Sequence, residues 1–170
     1  KFISVLSIIV IVAITIFTNV NYKTRFYNVF YVSGGINKFL NNSQYGAHFR
    51  VAKEIYLDNK LFGIGIKNFR EESGNKKYDN IDHPLKNQRW GTHPHQIHFQ
   101  FLSETGIFGY ICFLIFITTS FYIFIKSYVS EKNLYCVSGF LFTLASLIPF
   151  LPSGSFFSTY YAGFFWLNYS

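Results

Sequence analysis

The chain has 170 residues, of which 50% are hydrophobic and 14% charged, and its formal net charge is +7. The charged fraction is well below that of soluble domains, which argues against an ordinary soluble globular protein and indicates a membrane protein. Basic and acidic residues are mixed and no nucleic-acid motif is present, so we expect anionic substrates or lipid headgroups as partners and no nucleic acid. Because the sequence begins with Lys1 and both ends are apolar, we interpret it as part of a longer membrane protein.

Apolar stretches predict four transmembrane helices. They cover residues 1–19, 106–126, 134–151 and 155–170, the last one partial. Residues 20–105 form a large polar segment, and residues 127–133 form a short loop that contains Lys132. Short basic loops stay in the cytoplasm, so we expect residues 20–105 to face the periplasm. The predicted fold is an all-α membrane protein, a multi-helix transmembrane bundle with a large periplasmic loop.

The large loop contains one predicted amphipathic helix, over Ala47–Leu61. Val51 and Ile55 share one face at helical spacing, and Leu57 and Leu61 lie less regularly near it. We expect this helix to lie on the membrane surface.

Glycines in the following segment, residues 61–66, allow the backbone to turn or to approach a partner closely. Residues 70–89 are polar, and we interpret them as a mobile loop. Pro94 suits the first turn of a helix that runs toward the bilayer. That helix is expected to carry three residues along one side: His95, His98 and Leu102.

Three histidines lie just before the second apolar stretch: His93, His95 and His98. Titratable groups at the end of a membrane span indicate a functional site. One interpretation is a metal site, but no Cys or carboxylate completes a ligand set and HExxH is absent, so we predict no metal and no cofactor. A second is a general base, because the ordinary histidine pKa of about 6.5 lies near working pH. A third is a structural histidine bonded to backbone.

Arginines of the large loop are candidates for phosphate binding, because a guanidinium forms two parallel hydrogen bonds with a phosphate. They are Arg25, Arg50, Arg70 and Arg89. One or two of them are expected to hold a diphosphate near His95; the alternative for each is a solvated face or a lipid headgroup contact. His48 and Lys67 are weaker candidates of the same kind.

The stretch from Thr92 to Gly109 resembles the signature of the O-antigen ligase and polymerase superfamily of bacterial inner-membrane proteins. His95-Gln96, nine residues and then Gly106-x-x-Gly109 match a pattern in which His followed by Asn, Ser or Gln precedes Gly-x-x-Gly. Two further segments resemble the family in the expected order: Leu61–Phe69 after the periplasmic helix and Leu151–Phe157 as the final loop.

The resemblance implies that the chain is the C-terminal part of a metal-independent, inverting glycosyltransferase of the bacterial inner membrane. Such an enzyme moves a glycan from undecaprenyl diphosphate to an acceptor hydroxyl, that of lipid A–core for a ligase, in lipopolysaccharide biosynthesis. The implied partners are the lipid-linked donor, a glycan acceptor and membrane lipid.

The resemblance also implies that His95 is the catalytic histidine. Arg50 and Arg70 are expected to bind the diphosphate. The family often has Leu after Arg and three intervening residues, but Glu54 stands at that distance from Arg50, so Arg70 competes for the role. Further substrate-site residues are expected to be His93, His98 and Glu104, with Glu104 orienting His98 or capping a helix end.

Other functions remain open. Within the superfamily, the alternatives are an O-antigen polymerase and a protein O-oligosaccharyltransferase. A more distant alternative is a membrane transporter with a histidine proton relay, which predicts polar residues within the membrane, whereas the predicted spans show only Ser and Thr.

Overall fold

A computed structural model describes residues 35–132, 134–148 and 152–169, together with four isolated positions. These positions are Val10, Ile14, Thr18 and Val20. The rest of the predicted helix at 1–19, and Arg25, lie outside the described residues. The described residues are helical without any strand, which confirms the all-α class.

Clustering of contacts divides the chain into two compact units, Lys1–Asn42 and Ser43–Ser170. In the first unit, the structure describes helix α1 (Gly35–Asn42). In the second, it describes five α-helices: α2 (Gln44–Asp58), α3 (Phe69–Ser73), α4 (Ile97–Glu131), α5 (Leu134–Ser146) and α6 (Thr159–Tyr169). Short 3-10 helices occupy Lys76–Tyr78 and Lys86–Gln88. Within the described residues, one helix is long and apolar enough to cross a membrane, Ile97–Ser130 of α4.

Helix α2 corresponds to the predicted amphipathic helix. Ser43 caps its start by accepting a hydrogen bond from the Gly46 amide at 3.2 Å. Val51 and Ile55 are fully buried, as predicted. Leu57 is instead exposed, because two residues beyond Ile55 correspond to more than half a turn of helix. Leu61 is also exposed and lies beyond the end of α2, so its assignment to the buried face was wrong.

Residues 70–89 are not the loop that the polar composition predicted. They include most of α3 and both 3-10 helices, and Tyr78 and Ile81 are buried in one apolar cluster with Phe69 and with the inner face of α2. The Tyr78 hydroxyl donates a hydrogen bond to Asp58 at 3.0 Å, which ties the segment to the end of α2. These buried apolar side chains pack the polar stretch against α2.

Helix α4 is broken at Gly106, where φ is 66° and ψ is −167°. Segment 60–65 lies against the break and satisfies the backbone groups that the break exposes. The hydrogen bonds are Ile64 N to Ser103 O (3.0 Å), Gly65 N to Glu104 O (2.9 Å), Ile107 N to Lys60 O (2.8 Å) and Phe108 N to Leu61 O (3.3 Å). Broken helices are stable at membrane depth only when such groups find partners, so this pairing explains how the break is tolerated.

Two glycines allow this close backbone approach. A Cβ at Gly106 would overlap the backbone of Leu61, and a Cβ at Gly63 would overlap the backbone of Glu104 and Thr105. Both residues also have positive φ, a conformation that side chains disfavour. The prediction that glycines in residues 61–66 permit a close approach is therefore confirmed, and the partner is α4.

The start of α4 differs from the prediction. The helix begins at Ile97, and Gln96 is its N-cap, with its side chain accepting a hydrogen bond from the Phe99 amide at 2.9 Å. His95 precedes the cap and has a φ of 56°, which is incompatible with a right-handed helix. The prediction that Pro94 begins the helix and that His95 lies on its side was wrong.

Candidate active site

His95 is surrounded by aromatic rings from two parts of the chain. The ring centre of His93 lies 4.0 Å away, that of His48 lies 5.1 Å away with nearly parallel planes, and that of Tyr45 lies 5.5 Å away in an edge arrangement. Tyr45 and His48 belong to α2, so this helix brings a third imidazole to the two of the sequence motif. We call His48, His93 and His95 the histidine cluster.

Burial and mutual repulsion keep the histidine cluster uncharged near neutral pH. Burial lowers the pKa of His93 to about 4, with a further decrease from the neighbouring His95 and His48. Burial and the charge of His95 lower the pKa of His48, and burial lowers that of His95. Since the unperturbed pKa is about 6.5, each of these rings is a neutral imidazole at pH 7.

The ring nitrogens of the cluster have few protein partners. His95 is half-buried, and its ring makes aromatic contacts but no hydrogen bond with the described residues. Both nitrogens of the buried His48, and Nε2 of His93, make no hydrogen bond of ordinary geometry. No group of three His, Cys, Asp or Glu side chains is arranged to hold a metal ion in the part of the chain that the structure describes. His93 is half-buried as well, but its Nδ1 lies 3.0 Å from the Thr92 hydroxyl and its Nε2 is buried, so His95 is the member whose nitrogens are best placed to meet a substrate.

The backbone of His95 is held on both sides. Its carbonyl accepts a hydrogen bond from the Ser153 amide at 2.7 Å, and Pro94 before it is buried. Gln96 after it caps α4. Left-handed backbone at a non-glycine residue is strained and persists where its surroundings fix it, often at functional sites.

The three segments that resemble the superfamily meet around Gln100 and Glu104, which are both buried. The Gln100 side chain donates to Ser155 Oγ at 2.7 Å and accepts from the Phe156 amide at 2.9 Å, which binds the final loop to α4. Its amide also donates to Glu104 Oε2 at 3.3 Å. Glu104 Oε1 accepts from the amide of Phe69 at 3.3 Å, at the first residue of α3. Glu104 thus caps a helix end, one of the two roles expected for it.

Residues 1–114 match the family model described as O-Antigen ligase. The match spans about two thirds of the chain and includes His93, His95, His98, Glu104 and Gly109. The chain belongs to the O-antigen ligase family. The resemblance seen in the sequence is thereby confirmed at the level of the O-antigen ligase and polymerase superfamily, whose members are membrane-associated, glycosyltransferase-like enzymes with lipid-linked glycan and acceptor partners.

No curated protein and no solved structure matches the chain. The final loop around Ser153 and Ser155 lies outside the residues that match the O-antigen ligase family model. Its contacts with His95 and Gln100 are therefore seen in the structure but are not covered by the family match.

His98, also within the family match, is engaged elsewhere. Its Nε2 lies 2.9 Å from the Leu147 carbonyl, which can only accept, so Nε2 carries a hydrogen. In the neutral ring, Nδ1 then accepts from the Tyr110 hydroxyl at 3.0 Å. The bond to Leu147 links α4 to the residue that follows α5, and the bond to Tyr110 joins the two parts of α4 on either side of Gly106. The structure does not bring His98 into the histidine cluster.

The arginines of this O-antigen ligase family member differ in availability. Arg50 is exposed on α2, and Arg70 is exposed on α3 with its guanidinium 5.4 Å from the ring centre of Trp90. Neither pairs with a carboxylate among the described residues. Arg89 is nearly buried and forms an ion pair with Asp79, so it is already engaged. Neither Arg50 nor Arg70 contacts the histidine cluster in the described part of the chain, and their roles stay predictions.

Sequence reasoning gave too little weight to His48. The signal was available, because His48, Val51, Ala52 and Ile55 follow the i, i+3, i+4, i+7 spacing of one buried helix face. A histidine on such a face is packed inside the protein, and here its ring stacks on that of His95. The contacts of Ser153 and Ser155, by contrast, depend on long-range packing and left no local pattern.

Proposed function

We propose that the protein transfers a glycan from undecaprenyl diphosphate to an acceptor hydroxyl, that of lipid A–core, on the periplasmic face of the inner membrane in lipopolysaccharide biosynthesis, with His95 as general base. One observation carries the proposal. His95 is a neutral, half-exposed imidazole without a hydrogen-bond partner among the described residues, and it is fixed just before the apolar helix α4 in a region that matches the O-antigen ligase family.

In this mechanism a nitrogen of His95 accepts the proton of the acceptor hydroxyl as that oxygen attacks the anomeric carbon of the donor sugar. The new carbon–oxygen bond forms while the bond to the diphosphate breaks, and the diphosphate leaves with the bonding electrons. A single displacement of this kind inverts the anomeric centre. The lowered pKa makes His95 a modest base, which suffices because diphosphate is a good leaving group.

Charge develops on the diphosphate as it leaves, and fixed cations that bind it there lower the barrier. Arg50 and Arg70 are proposed for this role. Both are exposed, and neither pairs with a carboxylate among the described residues, and a guanidinium binds phosphate oxygens in pairs. His93 supports His95 through its ring contact at 4.0 Å. Because burial keeps His93 uncharged, it does not repel a proton on His95.

The test is complementation of a ligase-deficient bacterial strain by the full-length protein and by His95→Ala. The intact protein is expected to restore the ladder of glycan-bearing lipopolysaccharide on a gel, and His95→Ala is expected to abolish it. Immunoblots of the membrane fraction show whether both proteins accumulate equally. The matched control is Asp82→Ala, because Asp82 is exposed and has no part in the site. A normal ladder with His95→Ala would refute the assigned role.

The same experiment separates the alternatives. Failure in the ligase-deficient strain together with success in a polymerase-deficient strain assigns the protein to polymerisation of repeat units. Transfer to a protein hydroxyl gives glycosylated protein instead of a lipopolysaccharide ladder. Activity of purified protein is expected to survive EDTA, since the proposed chemistry uses imidazole and guanidinium groups.

A further inference from the structure

Residues 57–66 carry several large apolar side chains on the protein surface, next to the broken part of α4. The exposed residues are Leu57, Leu61, Phe62 and Ile66, and Phe62 is 73% exposed. We call residues 57–66 the hydrophobic loop. Exposed apolar groups concentrated in one short segment usually mark a binding surface for protein or lipid.

The surroundings of α4 change at the level of this loop. Before Gly106, many side chains of α4 are buried in protein, among them Ile97, Gln100, Phe101, Ser103 and Glu104. From Phe108 onward, large apolar side chains are exposed, among them Phe108, Ile111, Leu114 and Ile115. An exposed apolar surface on a membrane helix suits contact with lipid, and we take the lipid-facing part of α4 to begin near the break.

The length of α4 agrees with this boundary. The part from Gly106 to Ser130 is about 36 Å long at about 1.5 Å per residue. The hydrocarbon core of a bilayer is about 30 Å thick. The membrane surface therefore falls close to Gly106, which is the level at which the hydrophobic loop is attached.

The hydrophobic loop and the lipid-facing part of α4 form one continuous apolar surface. The ring of Phe62 stacks on that of Phe108 with centres 5.3 Å apart. The backbone of the loop is hydrogen-bonded to Ile107 and Phe108, so it cannot move away from α4 without breaking those bonds.

The charges near the loop suit a phospholipid surface. Lys60 and Lys67 are exposed within the loop and directly after it. Lysine side chains at such positions extend along apolar surface and place their ammonium groups at lipid phosphates. The carboxylate of Asp58, within the loop, lies 3.5 Å from the Lys77 ammonium, which it shares with the nearer Glu72.

We propose that the hydrophobic loop inserts into the lipid bilayer beside α4. Phe62, Leu61 and Ile66 lie among the acyl chains, and Lys60 and Lys67 lie at the phosphate level. The loop is a second membrane contact beside α4, and it fixes the depth of the break in that helix.

The test is the depth of spin labels in the full-length protein, reconstituted in vesicles of phosphatidylethanolamine and phosphatidylglycerol. In a background with Cys112→Ala and Cys136→Ala, single labels are attached at Phe62→Cys and, separately, at Ile66→Cys. Native Cys112 alone, exposed on α4, is the lipid reference, and Asp82→Cys is the aqueous control. Relaxation by oxygen reports lipid exposure, and relaxation by a nickel chelate reports water exposure.

Labels at Phe62 and Ile66 are expected to resemble the label at Cys112, with an oxygen-to-nickel ratio several-fold above that at Asp82. A nickel response equal to that at Asp82 overturns the proposal. Protection from both reagents with dipolar broadening also overturns it, because the loop is then covered by a second copy of the chain. No glycan is used, so the result does not depend on the proposed transfer reaction.

Discussion

His95 combines a strained backbone with a side chain that forms no hydrogen bond with the part of the chain that the structure describes. The left-handed conformation costs on the order of 1 kcal/mol for a residue with a β-carbon. Bonds on either side, to Ser153 and through the Gln96 cap, maintain it. The ring orientation thus depends on aromatic neighbours, and above all on the stacked ring of His48.

Substitution of His48 tests this dependence. His48→Ala removes the stacked ring and is expected to lower the transfer rate roughly tenfold or more, because small misplacements of a catalytic group are costly. His48→Phe keeps an aromatic ring of similar shape and is expected to retain most of the activity. The measurement is kcat and KM for purified protein with a lipid-linked donor, and the loss is expected in kcat. Equal rates for the alanine variant and the unaltered protein would contradict a positioning role.

The lowered pKa of His93 predicts how stability changes with pH. The unfolded chain gains a proton on this residue near pH 6.5, whereas the folded protein gains it near pH 4. Between these values the unfolded state binds more protons. The contribution of uncharged His93 to the free energy of unfolding is therefore complete above about pH 6.5 and decreases as the pH falls toward 4. His93→Gln is expected to flatten this decrease. Thermal unfolding of both proteins in detergent at several pH values measures it; parallel curves would contradict the assignment.

At the scale of elements, the break in α4 is the feature that a single added carbon atom is expected to disturb most. Gly106→Ala adds a Cβ that overlaps the Leu61 backbone and requires an alanine with positive φ. We expect the free energy of unfolding to fall by at least about 2 kcal/mol, with lost protection of the amides in residues 60–65. Thermal unfolding and hydrogen exchange measure these effects.

The matched control for this substitution is Gly163→Ala in α6, where an added Cβ meets no atom within 4 Å. Alanine favours a helix by roughly 0.5–1 kcal/mol over glycine, so this variant is expected to be neutral or slightly stabilised. Equal destabilisation by the two substitutions would show that the close backbone approach does not stabilise the fold.

The elements also show what the sequence can and cannot predict. The spacing of His95, Gln96 and Gly106 led to the family, because the motif is local, whereas the role of His95 stays a prediction. The periodicity of Val51 and Ile55 identified α2. The break at Gly106 was not predictable, since its hydrogen-bond partners lie in residues 60–65, far along the chain. The prediction that Pro94 begins the helix failed for the same reason. The local preference of proline for the first helical turn was outweighed by the Gln96 cap and by the bond to Ser153.

At the scale of the whole molecule, orientation in the membrane is the main prediction. Residues 20–105 are expected outside the cytoplasm and the loop at 127–133 inside, because short basic loops stay in the cytoplasm. In a cysteine-free background, Asp82→Cys is expected to react with a membrane-impermeant maleimide in intact spheroplasts. Lys132→Cys is expected to react only after permeabilisation. The reverse pattern would place the histidine cluster on the cytoplasmic side and exclude a periplasmic reaction.

The first part of α4 sets the distance between the start of the helix and the break at Gly106. From Ile97 to Gly106 the helix is about 14 Å long, at about 1.5 Å per residue. Its upper end is bound to the final loop and its lower end to residues 60–65, so this length is constant. With the lower end at the lipid surface, as proposed, His95 would stand at a set height above the phosphates. For the proposed transfer, the anomeric carbon of the donor would have to reach that height before it could react.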